Sequence, residues 1–119
     1  MTMPFNQARD LFSEVYGTDF EHDRPEYLRC LFEYARMLPA PCTILEIGTY
    51  KGKSAFMMGC AVKGSGGKVY TVDPVFLTGE INTPDAHQPF HTYKSSLKMG
   101  RARMGMAGLE DTVEVIAGY

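Results

Sequence analysis

Among 119 residues there is no CxxC pair, no run of basic side chains and no apolar stretch long enough to span a bilayer. Each absence removes a class of protein. Cys30, Cys42 and Cys60 are an odd set without paired spacing, so neither a disulfide framework nor a zinc ligand set is indicated. They read as reduced thiols buried in apolar surroundings. Twelve basic against fourteen acidic side chains leave a formal charge of −2, which offers nothing to a phosphate backbone, so no nucleic-acid partner is expected. No membrane association is expected either, and the opening "MTMPFNQARD" has neither an apolar signal core nor an Arg/Ser-rich amphipathic presequence. The cytoplasm is the expected compartment. Internal repeats and low-complexity tracts are also missing. What remains is ordinary globular usage, 45% hydrophobic and 22% charged, in a length that supports one small core but not two.

The chain divides by pattern at residue 42. In 1–42, Ala8, Leu11, Phe12 and Val15 recur at helical spacing and stop at Gly17. A second helix follows in "DRPEYLRCLFEYARMLPAP", with Asp23 and Glu26 in capping-box spacing and Pro25 in the first turn. Leu28, Leu31, Phe32, Ala35 and Leu38 form its apolar face, and Pro39 and Pro41 end it.

In 43–119, "CTILEI" is a short apolar run without alternation, which predicts a parallel strand covered on both faces. A helix is predicted from Ser54 to about Val62, then a glycine-rich turn, then a second strand in "VYTVD". Residues 74–92 carry three prolines and little periodicity and read as a long loop of the functional or mobile kind. A further helix over Tyr93 to Ala107 and a strand in "TVEVIAG" complete a βαβαβ order. That order predicts an α/β fold, a partial Rossmann-like doubly wound sheet of about three parallel strands, with a ligand at their carboxyl ends.

The loop after the first strand, "EIGTYKGKS", resembles a phosphate-binding loop but has three residues between Gly48 and Gly52 where that loop has four. Each missing peptide removes a backbone donor from the cradle. The dinucleotide fingerprint fits poorly too: of glycines required at 48, 50 and 53, only Gly48 is present. Glu46 is an acid in an otherwise apolar strand, costly unless backbone donors or a cation compensate it. Asp73, at the end of the second strand, stands where a carboxylate can take two hydrogen bonds from a ribose diol. Two carboxylates make the site negative where a triphosphate wants positive charge, so a nucleoside bearing cationic groups is the better ligand.

"ILEIGTYKGKSA", "GKVYTVDP" and "GLEDTVEVIAGY" resemble the first three strand motifs of class I S-adenosylmethionine-dependent methyltransferases, in particular the O-methyltransferase branch. The resemblance covers roughly Thr43 to Asp73 and Gly108 to Tyr119. It implies S-adenosylmethionine as cofactor, with Glu46 positioning its methionine end and Gly48 allowing close backbone approach. Tyr50 is implied near the sulfonium, Gly52 at the turn, Ser54 at the cofactor carboxylate and Asp73 at the ribose, with Gly118 and Tyr119 toward adenine. The implied activity is methyl transfer to a hydroxyl of a small-molecule acceptor. Members of that family build seven strands, so the chain is expected to be the N-terminal portion of a longer enzyme, inactive by itself and without an assignable catalytic residue. The open edge expected on its first strand predicts a homo-oligomer.

Blander readings stand beside these. Glycines after a strand are often only turn makers, and Asp73 could cap the turn before Pro74. Lys51 and Lys53 read as solvated loop lysines. His87, His91 and Asp85 suggest a metal by spacing, but Pro89 argues against the helix that would align them, so no metal is expected. The rivals in function are an NAD-binding oxidoreductase half-domain and a non-catalytic cofactor-binding or assembly module.

Overall fold

The computed structural model describes residues 2–49, 51–73 and 90–118, with the backbone alone described for 90–97. Expectations about Tyr50, Tyr119, the 74–89 segment and the His87 cluster therefore fall outside the described residues.

Helix α1, Phe5–Tyr16, ends where Gly17 turns left-handed at φ 66° and returns its N–H to the Ser13 carbonyl. A short 3-10 turn at Phe20–His22 leads into α2, Pro25–Met37. Strand β1, Thr43–Ile47, passes through the glycine loop into α3, Lys53–Val62, and the chain returns as β2, Lys68–Asp73. Helix α4, Phe90–Met106, and strand β3, Val113–Ala117, follow. The three strands form one parallel sheet in the order β1-β2-β3, with Glu46 opposite Thr71 and Thr71 opposite Val115. The α/β, partial Rossmann-like architecture expected from the sequence is the one observed.

Helix α3 explains the packing. Every residue from Ala55 to Val62 is buried, so this helix has no solvent face and needs cover all round. The sheet supplies one side and α1 and α2 supply the other. Phe12 sits between Phe20 and Phe56 in edge-to-face contacts at 5.3 and 5.8 Å, which ties α1 to α3. The segment before residue 43 thus shares one hydrophobic core with the sheet.

Four expectations need correcting. Asp23 does not cap α2: the N-cap is Arg24, left-handed at φ 50°, and it makes no side-chain cap. Strand β1 is not covered on both faces, because Leu45 and Ile47 are 65% and 75% exposed while Ile44 and Glu46 turn inward. The described helices pack against one face of the sheet, so an apolar strand keeps a bare side. Of the cysteines only Cys60 is buried; Cys42 is intermediate and Cys30 is exposed on α2. Lys53 is not a solvated loop lysine but the first residue of α3, ion-paired with Asp23.

Candidate functional site

The site grows out of the β1–α3 connection. Gly48 leaves the strand at φ 96° and Gly52 begins α3 at φ 80°, both in the left-handed region where a β-carbon is penalised. Gly52 also has Met104 Cε and the Tyr16 hydroxyl 3.4 and 3.5 Å from where a side chain would begin. The loop is held at both ends. Gly48 N–H donates to the Val72 carbonyl at 2.7 Å and Gly52 N–H to the Thr49 carbonyl at 2.9 Å.

Thr49 is the hub. Its N–H donates to Asp73 Oδ2 at 3.1 Å, and its hydroxyl lies 2.7 Å from the Thr71 hydroxyl. Thr71, completely buried, donates in turn to Glu46 Oε1 at 2.7 Å. Because the Thr71 proton goes to the carboxylate, the Thr49 hydroxyl is the donor to Thr71. The two carboxylates picked out from the sequence are therefore joined through two threonines that sequence reasoning missed. A signal for Thr71 was present: it is the polar residue inside "VYTVD", in register with the lone acid of the preceding strand.

Burial pushes the Glu46 carboxyl above its ordinary 4.5, and the Thr71 hydrogen bond works against that shift. Tyr16, at the end of α1, supports the loop from below by donating its hydroxyl to the Lys51 carbonyl at 2.9 Å. The Arg103 guanidinium lies 4.6 Å from its ring centroid. Desolvation drives the Tyr16 phenol far above its normal range, so it stays a donor. Nothing in the sequence marked Tyr16 beyond its place before Gly17.

A cleft of about 370 Å³ opens here, lined on the loop side by Glu46, Ile47, Gly48, Thr49 and Ser54. Its other side is built from Asp23, Arg24 and Tyr27, and Lys51 and Lys53 also border it. The structure thus brings Glu46, Gly48 and Ser54 to one cleft. Gly52 sits behind it as the N-cap of α3, whose first turn receives no side-chain cap. Asp73, 8% exposed, is not among the residues lining this cleft and is fixed to the loop backbone instead. Gly118 lies beside it, its N–H donating to the Asp73 carbonyl at 3.3 Å.

No protein-family model matches the chain, and no curated protein is significantly similar to it. Among the described residues no helix is long and apolar enough to cross a membrane.

Proposed function

We propose that the cleft binds S-adenosylmethionine and that the chain supplies the cofactor-holding part of a methyltransferase acting on a hydroxyl of a small-molecule acceptor. The observation that carries this reading is a half-buried acid, Glu46, set beside an uncapped helix start across a glycine turn. An ammonium suits the first and a carboxylate the second, and a methionine moiety carries both. Glu46 accepts the ammonium and offsets its own desolvation by doing so. The first-turn N–H groups of α3 and the Ser54 hydroxyl receive the carboxylate. Gly48, without a side chain, admits the cofactor against the backbone.

When bound, S-adenosylmethionine supplies an electrophilic sulfonium methyl. The residues of the chain hold and orient it and exclude water from it. Asp73 has one carboxylate oxygen on the Thr49 N–H and lies outside the cleft lining, so its part in this reading is to shape the loop, and the ribose contact rests on the resemblance alone. No residue is assigned to the acceptor's proton. Cytoplasmic residence and self-association belong to the same proposal.

Isothermal titration with S-adenosylhomocysteine, NAD and ATP tests it. Micromolar binding of S-adenosylhomocysteine, with the other two absent or at least tenfold weaker, is the expected result. Binding of NAD or ATP alone overturns the reading in favour of an oxidoreductase half-domain or a nucleotide site, and binding of none favours an assembly module.

A further inference from the structure

The cleft has a second side, and the cofactor reading leaves it unused. Arg24 and Tyr27 line it from the start of α2. Most of the charge around them is already committed: Asp23 is ion-paired with Lys53, Glu46 is held by Thr71, and Lys51 has contacts of its own. Arg24 differs. Its guanidinium makes no hydrogen bond or ion pair among the described residues and rests 5.4 Å from the ring centroid of Tyr27, which is itself 50% exposed.

A guanidinium supported on an aromatic face keeps its fork of donors available, and that fork matches a carboxylate or phosphate in two-point contact. The ring beside it offers flat apolar surface to a planar molecule. The backbone contributes to the placement. Arg24 precedes Pro25, which disfavours the right-handed helical region, and it adopts φ 50° and ψ 58°, so its side chain leaves the helix start from a left-handed residue. Glu46 supplies the opposite polarity on the loop side. An anionic group entering the cleft is repelled from Glu46 and drawn to Arg24.

We propose that Arg24 and Tyr27 select the acceptor, and that the acceptor is a hydroxyl compound carrying an oxyanion, either a carboxylate or a phosphate. This rests on the transferase reading. Arg24 takes the oxyanion, Tyr27 takes the adjoining planar or apolar part, and the hydroxyl is thereby directed toward the cofactor side of the cleft.

The test is isothermal titration of 4-hydroxybenzoate and of inorganic phosphate into the full chain, with and without saturating S-adenosylhomocysteine. The variants are Arg24→Gly, which tolerates the left-handed backbone and so folds, and Arg24→Lys, which keeps the charge without the fork. At least one anion is expected to bind the unsubstituted chain, identifying which oxyanion is preferred. Arg24→Gly weakens that binding at least tenfold, Arg24→Lys recovers part of it, and S-adenosylhomocysteine affinity stays within about twofold. The proposal is overturned if neither anion binds or if Arg24→Gly leaves anion affinity unchanged. It is equally overturned if Arg24→Gly weakens S-adenosylhomocysteine instead, which would give Arg24 to the cofactor carboxylate. Failure of the transferase reading looks different: S-adenosylhomocysteine does not bind while the Arg24-dependent anion binding persists, so the anion site stands and its role as an acceptor site falls.

Discussion

Glu46 is where stability and binding oppose each other. Its folded-state pKa lies above the ordinary 4.5 because burial disfavours the charged form more than Thr71 favours it. A raised folded value stabilises the fold fully below the unfolded pKa, and that stabilisation is lost as pH rises through the folded value. Once ionised, Glu46 is thus a desolvated charge that a cation would relieve. Glu46→Gln is expected to melt at a higher temperature than the parent at pH 7 and at a similar one near pH 4, as thermal melts across that range would register. The same substitution is expected to weaken S-adenosylhomocysteine by roughly ten- to a hundredfold, the value of one hydrogen bond to a charged partner. In the unsubstituted chain, affinity for that ligand should rise with pH over the window in which Glu46 ionises. A stability gain without a binding loss would leave Glu46 as an ill-placed acid and remove its cofactor role. Glu46 was legible in the sequence because an acid inside an apolar strand is conspicuous. Its partners were less so: Thr71 stands out as the polar residue inside its strand, but it and Thr49 join Glu46 only through the β1–β2 register, and the Lys53–Asp23 pair joins residues separated by 30 positions.

Helix α3 shows the same division between local pattern and long-range placement. Its existence, like that of α1 and α2, followed from apolar spacing and turn residues, and Pro25 and Gly17 marked the ends as expected. The fit of the helix to the sheet was not readable. Gly59 stands in the middle of α3, where helix propensity alone favours alanine by about 1 kcal/mol. A β-carbon there would lie 2.3 Å from Val113 Cγ2 on β3, so glycine is required by the closeness of helix and strand. Gly59→Ala is expected to destabilise the fold by roughly 1–2 kcal/mol despite its better propensity, because overpacking costs about 1–3 kcal/mol. Urea denaturation measures it. Adding Val113→Ala removes the clashing methyl, and the double variant should recover part of the loss, giving a favourable coupling between the two positions. Strictly additive losses would place the cause of destabilisation elsewhere than this contact.

The two edges of the sheet are not treated alike. At β3 the Arg101 guanidinium donates to the Val115 carbonyl at 2.8 and 3.2 Å, a charged side chain of α4 occupying a backbone acceptor of the edge strand. At β1, among the described residues, no strand lies on the side away from β2. That strand also turns Leu45 and Ile47 outward, 65% and 75% exposed. An unpaired edge flanked by bare aliphatic side chains is a template for another chain, and blunting such an edge usually takes a charge or a proline. The alternation that left β1 half bare is also what makes the site work, since it points Glu46 inward to Thr71 while Leu45 and Ile47 point away. A second copy of the chain is the occupant expected at this edge. Sedimentation velocity over a range of concentrations should therefore show a dimer or larger species, and Ile47→Lys or Leu45→Lys should raise the dissociation constant at least tenfold by placing a charge on the contact. S-adenosylhomocysteine affinity should survive Leu45→Lys, because Leu45 does not line the cleft, whereas Ile47 does and its replacement tests the edge alone. A parent chain that stays monomeric at every concentration would show that the exposed edge is tolerated, and the oligomer expectation would fall while the cleft chemistry stood.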